Sequence, residues 1–279
     1  MLSVGPTDDV TNQMVRRMKT TLHTTAGLAV GPYTSPARMG RITSPSGQLV
    51  RDKPLLRKYE VAHLTPSLHS VEFSKMAPVL PVFENAFGAF GRGAILTTKQ
   101  GPMAVEDLLP GDEVMTSDHG YQTLLWRGSM VITPSDTSTS RTMTRITADA
   151  FGLGRPAHDL VLGPAARMRH TSSAAKTLTG SDSALIPVQD FVDGDQVIAL
   201  RPIAPVHTYQ LGFAAHTCVK VNGIDVETLH PGPAHALGLG HDMLTHFMAL
   251  FPHMNRPADF GPLIAPRLRK DDLDLVRVA

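Results

Sequence analysis

One stretch occurs twice in this chain, and any fold must find a place for both copies. The first runs from Met103 to Met115 and the second from Ile186 to Ile198, at a constant offset of 83 residues. Val105, Asp107, Gly111, Asp112 and Val114 return as Val188, Asp190, Gly194, Asp195 and Val197. Met103, Leu108, Leu109 and Met115 return as other apolar residues. Each copy opens with alternating apolar residues, the pattern of a half-buried strand. Gly111 and Gly194 then offer a positive-φ position, and Asp112 and Asp195 offer carboxylates that accept backbone N–H groups in a turn. A second strand leaves through Val114 or Val197. The pattern predicts a pseudo-symmetric β domain built by duplication, because two copies are too few for a solenoid.

The rest of the chain agrees with many short strands. With aromatic residues at 5% and 23 Gly and 22 Pro among 279 residues, turns outnumber long elements. Strands are expected at residues 93–98, 121–126, 159–162, 206–211, 217–221 and 224–229, with a hairpin turn at Ser117-Asp118-His119-Gly120. Asn222-Gly223 is the strongest hairpin signal in the sequence. Residues 133–141 and Ser172 to Ser183 are polar and are expected to be loops.

The two ends differ from this middle. Residues 1–80 carry more basic than acidic side chains and long Gly-, Ser- and Pro-rich runs, so most of this segment is expected to be a disordered basic arm. A helix is expected at residues 8–20, where Asp8 and Asp9 precede Arg16, Arg17 and Lys19 in the order that suits the helix dipole. Residues 81–232 form the expected β domain. Residues 233–279 form a helical extension, with one helix between Leu237 and Phe251 and a short one near Lys270 to Val276.

Function is constrained mainly by exclusion. The formal net charge of +1 gives the whole chain no strong preference for a charged partner. A single cysteine, Cys218, rules out an intrachain disulfide and a cysteine-based metal cluster. The start MLSVGPTDDV lacks the basic and apolar regions of a signal peptide, and no run reaches the roughly 18 apolar residues of a membrane helix. The expected location is the cytoplasm, and export without a cleaved leader stays open. Tail histidines His230, His235, His241, His246 and His253 are five, six and seven apart, not the four that places two ligands on one helix face. His216 and Cys218 are two apart and share a face of a strand, as a base and a nucleophile or as core and rim. Thr97 and Thr98 are ordinary strand hydroxyls. The residues alone therefore define no catalytic, cofactor-binding or metal-ligating set.

The string GRGAILTTKQGPMAVEDLLPGDEVMTSDHGYQTLLWRG resembles the opening of a Hint domain, the Hedgehog/intein fold of bacterial Hint-domain proteins. DLVLGPAARM and LGFAAHTCVKVNGIDVETLHPG resemble its second and last blocks. The resemblance covers roughly residues 85–232. It implies an all-β, flat horseshoe with pseudo-two-fold symmetry, and a self-processing chemistry. In that chemistry a Cys or Ser attacks the preceding carbonyl while a His assists proton transfer. The Cys-Phe-x-x-Gly-Thr opening of active members falls on Ala89-Phe90-Gly91-Arg92-Gly93-Ala94, and their Ser-Pro-x-His falls on Gly163-Pro164-Ala165-Ala166. Ala89 thus stands at the nucleophile position and Ala166 at the histidine position, and no His-Asn pair closes the domain. The resemblance therefore points to a Hint fold without its usual chemistry, serving as an interaction or structural module for an unknown protein partner. Self-cleavage by an atypical nucleophile is the first alternative. Binding of nucleic acid or an anionic membrane surface by the basic arm is the second.

Overall fold

The computed structural model describes residues 55–134 and 142–278. The expected helix at residues 8–20 and most of the expected 133–141 loop lie outside them. Within them the chain is mainly β, in two antiparallel sheets. It opens with a hairpin of β1 (Leu56–Leu64) and β2 (Ser70–Pro78), in register from Leu56 opposite Pro78 to Leu64 opposite Ser70. Then come β3 (Phe90–Gly91), β4 (Ile95–Thr98), β5 (Gly101–Ala104), β6 (Glu113–Thr116), β7 (Gly120–Thr123) and β8 (Trp126–Ile132). After them follow β9 (Met143–Ile146), β10 (Leu160–Leu162), β11 (Arg167–Thr171), β12 (Ser183–Pro187) and β13 (Val197–Leu200). The last strands are β14 (Val206–Gly212), β15 (Cys218–Val221) and β16 (Ile224–Glu227). The first sheet has the order β13-β9-β10-β3-β14-β8-β1-β2, and the second β12-β11-β16-β15-β4-β6-β7 with β5 on β4.

The first hairpin corrects the expected boundary at residue 80. Lys58 and Glu60 are exposed while Tyr59 and Val61 are buried, so the charges that suggested a loose arm decorate the outer face of a strand. Tyr59 lies opposite Met130 in β8, which places the hairpin inside the first sheet. Arg57 pairs with Glu84 at 3.2 Å and ties the hairpin to the helix Pro81–Asn85 that follows.

Three further expectations need correction. The strand expected through Trp126 stops at Thr123, because Leu124 and Leu125 break the alternation. The chain changes sheets there and Trp126 begins β8. The segment from Ser172 to Ser183 is not a loop but holds the helix Ser173–Thr179. Ser172 accepts the Ala174 N–H at its start, Gly180 ends it in a left-handed conformation, and Ala174 and Ala175 bury against Leu273. The turns of the repeated stretch also differ. Gly111 and Gly194 both have positive φ, 105° and 82°. Asp112 accepts the Leu109 N–H at 2.8 Å, but in the second copy the acceptor is Asp193, which takes the N–H groups of Asp195, Gln196 and Val197. The first copy exits into β6 of the second sheet and the second into β13 at the edge of the first.

The extension after residue 232 packs as a helix His241–Met248 and a terminal helix Lys270–Val278. Phe247, Leu250 and Phe251 join Tyr59, Phe83, Phe87 and Trp126 in one core. The Trp126 indole N–H donates to the Leu250 carbonyl at 2.9 Å. His253 lies against the rings of Trp126, Phe251 and Phe260, and neither of its nitrogens has a hydrogen-bond partner among the described residues. Burial, with a smaller contribution from His63, lowers its pKa from 6.5 to about 4.

Two outcomes follow from this packing. A chain beginning at Pro81 lacks β1 and β2, exposes the aromatic core, and should run as aggregate on size exclusion, whereas a chain beginning at Lys53 should elute as a folded species. His253 takes a proton more readily when unfolded, so its contribution to stability should be constant above about pH 6.5, fall by about 3 kcal/mol as the pH drops to about 4, and change no further below that. Urea unfolding across this range, with His253→Phe removing most of the slope, measures it.

Candidate functional site

The two positions at which the sequence lacks its expected reactive groups meet in the core. Ala89 and Ala166 are both buried and belong to one apolar cluster with Phe90, Leu162, Met168 and Val188. β3 is only two residues long and is held between β10 and β14, which brings the Gly88–Ala89 peptide against the loop after β10. The Gly88 carbonyl accepts the Ala165 N–H at 2.9 Å. The Ala89 N–H donates to the Tyr209 carbonyl at 3.1 Å, and the Ala89 carbonyl accepts the Gly163 N–H at 2.7 Å. Ala166 donates to Gly163 and accepts from Val188. The contact with Gly163 is so close that a Cβ there would stand 2.1 Å from the Gly88 oxygen. This position requires glycine for space, not for its dihedral angles.

Chemically, the junction offers backbone donors and no reactive side chain. A backbone N–H aimed at a carbonyl oxygen is the kind of donor that stabilises a developing oxyanion. At the two positions where the family resemblance expects a nucleophile and a histidine, Ala89 and Ala166 carry methyl groups. Thr98 is not a substitute, since its hydroxyl donates to Gly101 in the β4–β5 turn while Thr97 is exposed.

His216 and Cys218 do not form a pair. Cys218 is buried with Leu185 and Ala265, and burial pushes its thiol pKa up to about 12, so it stays protonated. His216 turns to other partners. Its Nδ1 accepts the Ile264 N–H at 3.0 Å, and its Nε2 lies 3.1 Å from a Glu227 carboxylate oxygen. Glu227 is 3% exposed and also meets Arg267, with Nη2 at 2.7 Å and Nε at 2.9 Å, and Arg167 at 3.7 Å. Burial opposes ionisation of Glu227, but His216 and the two guanidinium groups outweigh it and hold the carboxyl below its usual range. His230 packs against His216 with ring centroids 4.8 Å apart and the rings tilted by 53°, accepts from Gly232 and binds the Gly261 carbonyl through Nε2. Burial lowers its pKa as well. His235, His241 and His246 are exposed.

Sequence reasoning passed over Glu227. The available signal was a carboxylate inside the otherwise apolar run Val226-Glu227-Thr228-Leu229, because a buried charge requires partners. Its strongest partner, Arg267, lies 40 residues later in the tail. Among the described residues no group of three or more His, Cys, Asp or Glu is placed to hold a metal ion, and no helix is long and apolar enough to cross a membrane.

An all-antiparallel two-sheet domain with a buried junction between its N-terminal hairpin and β3 is the class that these features define. A family model described as the Hint domain matches residues 88–233, just over half of the chain and beginning at this junction. The chain belongs to the Hint-domain family. Among solved structures it is similar to a GSH-linked, splice-inactive variant of the AceL NrdHF class 3 split intein, at 13% identity and a TM-score of 0.36, over 51% of this chain and 98% of that one. It is also similar to a bacterial intein-like domain from Clostridium thermocellum, at 12% identity and a TM-score of 0.35, over 50% and 98%. No curated protein matches the chain. The assignment rests on the family model.

Glu227→Gln should cost about 2–3 kcal/mol in urea unfolding at neutral pH, because it leaves two half-buried guanidinium groups without a counter-charge. The carboxylate's pKa is depressed in the folded state, so its contribution is present above about pH 4.5 and lost as pH falls through the folded value. The variant and the parent should therefore converge in acid.

Proposed function

We propose that this protein is a Hint domain that no longer processes itself and that serves, intact, as an interaction or structural module for a protein partner. The observation that carries this reading is the Gly88–Ala89 junction, where Ala89 and Ala166 are buried methyl-bearing residues, both polar groups of the peptide are held by backbone hydrogen bonds, and a third binds the next carbonyl, that of Ala89. The segment before the junction adds support. In a self-processing protein that segment is the part to be released, whereas here β1, β2 and the helix Pro81–Asn85 are woven into the first sheet and its core. Cys218, whose thiol is held neutral by burial, offers no replacement nucleophile.

The test follows the intact mass of the purified full chain under denaturing conditions over several days, alone and with a thiol or hydroxylamine. One unchanged mass is expected in all three. Fragments ending near residue 88 would overturn the proposal and establish self-cleavage by an atypical nucleophile.

A further inference from the structure

A cavity of about 440 Å³ lies beside the Glu227 cluster. Part of its lining is apolar, with Val82, Leu229 and Leu237, and part is polar, with Arg167, Arg267, Gln210 and Glu227. The polar part carries a surplus of donors and of positive charge. Arg167 and Arg267 share one carboxylate, Glu227, and Arg267 occupies it with two short bonds. Arg167 is left with a single ion pair at 3.7 Å and no hydrogen bond among the described residues. Its side chain is 29% exposed. Gln210 is 5% exposed and spends its side-chain oxygen on the Leu211 N–H at 3.0 Å. That bond fixes the amide orientation, and its NH2 group has no partner among the described residues. A guanidinium and a carboxamide NH2 facing one space both require an acceptor, and a net positive charge favours an anionic one. His230 does not compete, because both of its ring nitrogens are engaged elsewhere.

We propose that this cavity is a binding site for a small amphipathic carboxylate, its head on Arg167 and Gln210 and its apolar body against Val82, Leu229 and Leu237. The volume falls within the range of ordinary small-molecule sites. A planar guanidinium pairs with a carboxylate through two parallel N–H···O bonds, which a neutral amide head cannot reproduce.

Titration of the full chain with sodium octanoate, octanamide and inorganic phosphate, followed by calorimetry, tests it. Octanoate should bind saturably, and octanamide and phosphate at least about tenfold more weakly. Arg167→Met should weaken octanoate about tenfold and leave octanamide unchanged. Ala236→Trp, at an exposed position on the cavity lining, should abolish octanoate binding. Absence of octanoate binding at low millimolar concentration would overturn the proposal, as would octanamide or phosphate binding as tightly as octanoate. Unchanged octanoate affinity in Arg167→Met would do the same. Should that variant fail to fold by circular dichroism, the Ala236→Trp chain decides alone, and octanoate binding retained in it overturns the site.

Discussion

The Trp126 ring stands 5.2 Å from Phe87 and 5.2 Å from Phe251, and its N–H is bound to the Leu250 carbonyl. That one side chain joins three parts of the molecule. Phe87 belongs to the segment before the family domain, Trp126 opens an interior strand of the first sheet, and Phe251 follows the helix of the extension. Buried aromatic pairs of this kind add roughly 0.5–1.5 kcal/mol beyond the area that they remove from water. Here they also set geometry, since Phe87 is the residue immediately before Gly88. The position of the junction peptide is therefore determined from both sides, by the aromatic core before it and by the backbone of Gly163 and Ala165 opposite it.

Polar groups are concentrated elsewhere, around Glu227. The two regions are neighbours through the loop that carries Ala165, Ala166 and Arg167, and they differ in kind. At the junction, every polar atom is a backbone group satisfied by another backbone group. Around Glu227, side-chain charges from β11, β16 and the tail converge, and the carboxylate compensates only part of them. A buried ion cluster is weak evidence for stability on its own, because desolvation offsets much of the attraction. Its value here lies in fixing the tail, since Arg267 reaches both Glu227 and the His230 carbonyl.

The strands and turns within the family domain were legible because their signals are local. Asn222-Gly223 takes positive φ at both residues, 47° and 89°, as a tight hairpin turn requires. The glycines of the repeated stretch behave as their chemistry demands. What escaped were features set by distant partners. The first hairpin looks like a polar arm until β8 supplies the other side of Tyr59 and Val61. The helix Ser173–Thr179 is a run of small residues whose burial depends on Leu273, nearly a hundred positions further on. At the site, the two alanines could be placed from the family motif, but the group that displaced His216 from Cys218 could not, because Glu227 and Arg267 meet only in the folded chain.

The weaving of β1 and β2 into the first sheet gives the junction an unusual property. In a chain whose upstream part is an independent passenger, breaking the peptide at the boundary parts cargo from carrier. Here the upstream piece would remain clamped by the β1–β8 ladder and by the stacked rings of Tyr59, Phe83 and Phe87, so a nick would leave a two-piece complex of the same shape. Scission at this point, by any agent, would be silent in the native state, because the β1–β8 ladder outlasts the broken bond.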